Sequence, residues 1–283
     1  MTYREFYYQS LKEAEKTDRE PSGIKWLFLA VTQKSFADFV LSWHEPIPDT
    51  EFKILNELIG KYLYELQPIQ YLLGKTTFYG LDLILSPAVL IPRFETEELV
   101  ERIIHWIEKS GNNNLRLVDL GTGSGAIALA VKKTCPDVSV IATDLSEKAL
   151  EIARKNAEKH HLAVDFLQGN WLEPLIAKNE KVNVIVSNPP YIPEQGPVNE
   201  DVLQNEPALA LFAGEDGLAA YRAILKDAKK VLLYPGLIAF EHGFDQAEEI
   251  KKIAQAYFMN SVVSTYCDMQ GKPRITWIEI GSE

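Results

Sequence analysis

The most pointed chemistry in this sequence lies in Asn188-Pro189-Pro190-Tyr191. Two consecutive prolines stiffen the chain and remove two backbone N–H donors, leaving carbonyl acceptors. The Asn188 side chain adds another carbonyl. Such a cluster suits a substrate bearing an NH2 group, whose two hydrogens each need an acceptor. Tyr191 supplies a flat ring that can pack on a planar amide or base. The segment follows an apolar stretch, residues 182–187, that reads as a buried strand. Open α/β sheets bind ligands at the carboxyl ends of such strands. Asn188, Pro189 and Tyr191 are therefore candidate catalytic residues, and Asn188, Pro189, Pro190 and Tyr191 a candidate substrate-binding set. The bland alternative is a Pro-Pro stop at the end of a strand.

A second motif is Leu117-Val118-Asp119-Leu120-Gly121-Thr122-Gly123-Ser124-Gly125-Ala126. It follows an apolar strand pattern and opens a helical one. Glycines there let the backbone turn tightly and a ligand approach without a Cβ in the way. Asp144 ends the next strand pattern 23 residues after Gly121, where an acid can hydrogen-bond two ribose hydroxyls. Gly121, Thr122, Gly123, Ser124, Gly125 and Asp144 thus form a candidate site for a nucleoside-containing cofactor. The spacing also satisfies the dinucleotide fingerprint, so the loop alone does not separate a nicotinamide dinucleotide from S-adenosyl-L-methionine. The acceptor cluster does, because it asks for an amine substrate, and no catalytic acid or base for hydride transfer stands beside the loop. A neutral amide or aromatic amine becomes acidic only as a methyl group arrives. Methyl transfer therefore needs positioning more than a charged base, and the lack of an obvious catalytic His or Cys fits.

These motifs need a scaffold. Residues 1–73 read as short helices: Tyr3, Phe6, Tyr7, Leu11 and Ala14 share one face, and Leu55, Leu58, Ile59, Tyr62, Leu63 and Leu66 another, after an N-cap at Asp49 or Thr50. Residues 74–91, punctuated by Gly74, Gly80 and Pro87, read as a β-hairpin linker. From residue 92 to 283, strand and helix patterns alternate. The expected fold is α/β, a seven-stranded doubly wound (Rossmann-like) parallel sheet with a small all-α N-terminal domain. Patterns at 262–266 and 274–280 lie too close for a helical crossover and should pair antiparallel. Arg93 and Glu95 read as an ion pair or as shapers of a pocket rim, and His242 as a residue that orients a loop.

Composition narrows the function class. The 283 residues include 46% hydrophobic and 24% charged residues, an ordinary globular balance that excludes disorder. The formal net charge is −11, divided between −3 over residues 1–73 and −8 over the rest, so neither part is a basic arm for nucleic acid. The two cysteines show no CxxC spacing, so no metal site is expected and a reducing, cytoplasmic location fits. The polar N-terminus lacks a signal-peptide core and no apolar run spans a bilayer, so no membrane partner is expected.

Several flanking stretches resemble the HemK/PrmC family. They are Gln67-Pro68-Ile69-Gln70-Tyr71-Leu72-Leu73-Gly74, Phe78-Tyr79-Gly80 and Leu90-Ile91-Pro92-Arg93-Phe94-Glu95-Thr96-Glu97, then Glu206-Pro207-Ala208-Leu209, Gly214-Glu215-Asp216-Gly217-Leu218, and Glu241-His242-Gly243 followed by Gln246. With Asn188 to Tyr191 the resemblance covers nearly the whole chain. It implies a class I methyltransferase that moves a methyl group from S-adenosyl-L-methionine, leaving S-adenosyl-L-homocysteine, to the side-chain amide of the glutamine in the Gly-Gly-Gln motif of class I peptide chain release factors. It further implies that Asn170 and Trp171 flank the adenine, that Asn188 touches both cofactor and substrate, and that the N-terminal domain grips the release factor. Phe94 stands where the family usually has proline, and Asn170 where an acid is common. The alternatives are a methyltransferase acting on exocyclic amines of nucleic acid, which the acidic charge disfavours, a nucleotide-binding module without catalysis, and a nicotinamide-dependent dehydrogenase.

Overall fold

A computed structural model describes residues 1–17, 19–112 and 114–281. The chain forms two compact units: Met1–Lys75 with Asn199–Asn205, and Thr76–Val198 with the chain from Glu206 on.

The first unit is helical, with helices Tyr3–Lys16, Pro21–Thr32, Phe36–Leu41, Asp49–Tyr64 and Ile69–Leu73. Its core is aromatic: the rings of Phe6, Tyr7 and Phe39 pack around Phe28, with centroids 5.3–5.7 Å away. The expected cap at Asp49 or Thr50 is replaced by Pro48, which makes no side-chain cap. Pro48 presets φ at −59°, and Asp49 enters the first turn, where its charge complements the helix dipole. The helix Glu200–Asn205 belongs to this unit through Arg19, which pairs with Asp201, and through Asn205, whose Nδ2 donates to the Leu66 carbonyl at 3.1 Å.

Next in the chain come β1 (Lys75–Phe78) and β2 (Leu81–Ile84), a two-stranded sheet turned by Tyr79-Gly80, both at positive φ. Seven strands follow: β3 (Arg116–Leu120), β4 (Ser139–Asp144), β5 (Asp165–Gln168), β6 (Val182–Ser187), β7 (Leu232–Glu241), β8 (Val262–Cys267) and β9 (Pro273–Ile280). They lie in the order β5-β4-β3-β6-β7-β9-β8. The first five pair in parallel, and β9 inserts antiparallel between β7 and β8, as the short β8–β9 connection requires.

Side-chain alternation sends the strands' residues to two cores. Leu117, Val140, Val184 and Leu237 pack on one face, and Val118, Ile141, Ile185 and Ile238 on the other. Helix Phe94–Ser110 covers the first face with Leu99, Val100, Ile103, Ile104 and Ile107. Helix Ala219–Ala228 covers the second, where fully buried Tyr221 packs edge-on against Phe240 at 5.3 Å and donates its hydroxyl to the Glu241 carbonyl. From β3 the chain winds outward through β4 to β5, then returns to β6 on the other side of β3. The loops after β3 and β6 therefore flank a crevice at the switch point, where doubly wound sheets bind ligands.

Candidate active site

The loop after β3 is held in shape by its own backbone. Gly121 and Thr122 both donate N–H to the Thr143 carbonyl at 2.9 Å, and Gly125 donates to the Thr122 carbonyl at 2.9 Å. Asp119 braces it from behind: its Oδ2 accepts from Thr122 Oγ1 at 2.6 Å and from the Ala128 N–H at 3.2 Å. Asn156, buried in helix Glu147–Lys159, clamps the far side. Its Nδ2 donates to the carbonyls of Ser124 and Ile84, and its Oδ1 accepts from the Ile84 N–H at 2.6 Å. One side chain thus joins the glycine loop to β2. Nothing local marks it, because in sequence it is one polar residue on a helix that also carries Leu150 and Ala153 inward.

Asp144 ends β4 facing this loop. Its Oδ2 accepts from the Gly123 N–H and its Oδ1 from the Ser146 N–H, each at 2.9 Å. Burial pushes its carboxyl up from the ordinary range, while the hydrogen bonds from the Ser146 and Gly123 backbones pull it down. A carboxylate has about four lone-pair sites. The two N–H groups leave about two, enough for a ribose diol.

A cavity of about 840 Å³ opens here. Gly121, Thr122, Gly123, Ser124, Asp144, Asn170, Trp171, Asn188 and Pro190 all line it. The Trp171 ring lies 3.4 Å from where a Cβ on Gly121 would sit, so the indole forms a wall directly beside the glycine turn. Gly125, Pro189 and Tyr191 are not among the lining residues. Gly125 lies behind the loop at φ 85°, where a Cβ would come within 3.1 Å of Leu129 and 3.3 Å of Ala153. Its requirement for glycine is helix packing and backbone conformation. Pro189 is buried. Tyr191 packs against the core, and its carbonyl accepts from Gln246 Nε2 at 2.9 Å. Of the segment's acceptors, those of Asn188 and Pro190 belong to residues that line the cavity.

Gln246 acts as a rivet. Its Oε1 accepts from the Gly243 N–H at 2.9 Å while its Nε2 reaches Tyr191 and, at 3.4 Å, the Gly217 carbonyl. Gly217 must be glycine, because a Cβ would fall 2.3 Å from the Tyr191 carbonyl oxygen, and its φ is 74°. Arg93 pairs with Glu206, whose buried carboxylate also accepts from the Ile91 N–H. The expected Arg93–Glu95 pair is thus replaced by one that ties the segment before helix Phe94–Ser110 to the segment after the Asn-Pro-Pro-Tyr loop. Phe94 is 77% exposed and opens helix Phe94–Ser110. His242 is fully buried, with Nδ1 on the Gly243 carbonyl at 2.8 Å. Among the described residues, no group of three or more His, Cys, Asp or Glu could hold a metal ion.

Two buried carboxyls stand out electrostatically. Burial pushes both Asp119 and Glu241 up to about 7, from ordinary values of 3.8 and 4.5. Each binds a proton in the folded state over a range where the unfolded chain has released it. Stability is therefore full below about pH 4 to 4.5 and declines as pH rises toward 7. We expect calorimetric melting midpoints to fall from pH 5 to pH 8, and Asp119→Asn to flatten part of that decline. A midpoint rising over this interval would contradict the assignment.

Comparison with known proteins bears on the family and the fold. Residues 4–74 match the PrmC N-terminal domain model, and residues 100–208 the methyltransferase small domain model. The chain is 37% identical over 274 residues to a release factor glutamine methyltransferase of Streptococcus pneumoniae, covering 96% of each chain. It is 40% identical over 249 residues to one from Coxiella burnetii, covering 88% of this chain and 87% of that one. A methyltransferase from Pyrococcus furiosus shares the fold at a TM-score of 0.52 and 19% identity, covering 83% of this chain and all of that one. The chain belongs to the release factor glutamine methyltransferase family.

Proposed function

We propose that this protein transfers a methyl group from S-adenosyl-L-methionine to the side-chain amide nitrogen of the glutamine in the Gly-Gly-Gln motif of class I release factors, in the cytoplasm. One observation carries the reading: Asn188 and Pro190 of the acceptor segment line the same cavity as Asp144 and the glycine loop. When bound, S-adenosyl-L-methionine supplies an electrophilic methyl group on a sulfonium. Asp144 accepts from the ribose hydroxyls, Trp171 and Asn170 flank the adenine, and Gly121 to Ser124 leave room for the remainder. Asn188 Oδ1, together with the carbonyls of Pro189 and Pro190, accepts from the glutamine NH2 and aims the nitrogen lone pair. The Tyr191 ring stiffens that segment from within the core. Asn188 to Tyr191 hold no charged base, which suits an amide whose proton is released only as the new bond forms. The N-terminal unit, rich in aromatic residues, recognises the body of the release factor.

The nucleic-acid reading shares the acceptor logic, and the charge of −11 weighs against it. Labelled S-adenosyl-L-methionine offered separately with a release factor, tRNA, ribosomal RNA and DNA tests the choice. Label is expected on the release factor alone. Label on a nucleic acid, with none on the release factor, would overturn the reading.

A further inference from the structure

Asn188 is held from behind by two groups that the steps above do not use. Ser187 pairs with Phe240 across β6 and β7, so the next residue on each strand, Asn188 and Glu241, emerge side by side at the carboxyl edge of the sheet. Glu241 is 2% exposed. Thr96 is also buried, and sits in the first turn of helix Phe94–Ser110. Asn188 Nδ2 donates to Thr96 Oγ1 at 3.1 Å, and both side chains lie close enough to the Glu241 carboxyl to offset part of the upward push of burial on it. The carboxyl oxygen Oε2 has no hydrogen-bond partner.

A side-chain amide presents an acceptor on one side and two donors on the other, and the two faces have nearly the same shape. Packing alone cannot choose between them. Threonine cannot choose either, because a hydroxyl both donates and accepts. Once ionised, above about pH 7, the Glu241 carboxylate only accepts, so it takes the NH2 side and turns the carbonyl side away. We propose that Thr96 and Glu241 are positioning residues that fix the face of the Asn188 amide, so that Oδ1 and not Nδ2 meets the NH2 group of the substrate. The proposal deepens the reading above and rests on the substrate being an amide or amine that donates to Asn188. It also accounts for a buried acid beside a site whose chemistry needs no base. Thr96 in the Pro92-to-Glu97 stretch and Glu241 in Glu241-His242-Gly243 come from opposite ends of the catalytic unit, and the sheet edge is where they meet.

The test is single-turnover methylation of a Gly-Gly-Gln domain at saturating S-adenosyl-L-methionine, with cofactor affinity measured separately by calorimetry. Thr96→Val keeps shape and removes the acceptor of the Asn188 hydrogen bond. It should lower the maximal rate by about 10- to 100-fold, the scale of a misplaced reactive group, with cofactor affinity unchanged. Thr96→Ser, which restores the hydroxyl, should recover most of the loss, and Glu241→Gln should do better than Glu241→Leu. If the Thr96→Val rate lies within about threefold of wild type, or only KM for the domain rises, the positioning role is wrong. Should the variants not fold, the wild type decides by NMR. The Asn188 side-chain amide protons, identified by their loss in Asn188→Ala, are expected to be protected from solvent exchange. Free exchange would overturn the proposal. Failure of the wild type to methylate the domain would instead sink the functional reading.

Discussion

Asn188→Ala is expected to abolish most turnover while the protein stays folded and binds its cofactor. Asn188 carries the only side-chain carbonyl in the Asn-Pro-Pro-Tyr segment, and the backbone carbonyls of the prolines do not replace it. Without Oδ1 one N–H of the substrate amide loses its partner and the nitrogen lone pair drifts off line. Removing one preorganised hydrogen bond of this kind costs about 2.7–4 kcal/mol, or about 10²–10³ in rate. Single-turnover methylation reads the effect, and a rate within about threefold of wild type would refute the acceptor mechanism. On sequence grounds alone, Asn188→Asp is the milder change, since it keeps an acceptor and adds a favourable charge near a sulfonium. The structure reverses that order. The Asn188 NH2 group donates to Thr96 Oγ1 beside the buried Glu241 carboxyl, so an aspartate would bring a second acid into that pocket and lose the donor. We therefore expect the Asp variant to be no more active than the Ala variant.

Asp144→Ala is expected to weaken S-adenosyl-L-methionine binding by about 1.5–3 kcal/mol, roughly 10- to 150-fold in Kd. Two causes act together. The ribose hydroxyls lose a charged acceptor, and the N–H groups of Gly123 and Ser146 lose the carboxylate that fixes the loop. Asp144→Asn keeps one of the two oxygens and should fall between. Calorimetric titration measures both, and an unchanged dissociation constant in folded Asp144→Ala would remove Asp144 from the site.

How much of this was legible beforehand depends on how far apart the partners lie in the chain. The glycine loop and Asp144 belong to one β-loop-helix-β unit, so their spacing alone predicts that they meet. The parallel strands are near-continuous apolar runs, and the tight spacing of the last two strands announces their antiparallel pairing. The helix Glu200–Asn205 had no such signal, because it is short, polar and carries no buried residue of its own. The residues that brace the site were also hidden. Asn156 reaches Ile84 across 72 positions, Thr96 reaches Asn188 across 92, and Arg93 reaches Glu206 across 113. Each is an ordinary polar residue within its own element, and only the sheet order brings the pairs together. Tyr191 shows a feature that residue type alone does not reveal. Its type and position suggest a ring stacked on the substrate, whereas the structure packs it on the core and ties its carbonyl to Gln246. The glycine at 125 likewise reads as a ligand contact but serves the packing of Leu129 and Ala153.

The most direct test of the account is to locate the methyl group itself. A release factor is incubated with this protein and S-adenosyl-L-methionine, digested, and its peptides are fragmented in a mass spectrometer. The account predicts one added methyl group on the side-chain amide of the glutamine in Gly-Gly-Gln, absent when Asn188→Ala replaces the wild type. A methyl group on any other residue, or on that glutamine at undiminished level with Asn188→Ala, would contradict it.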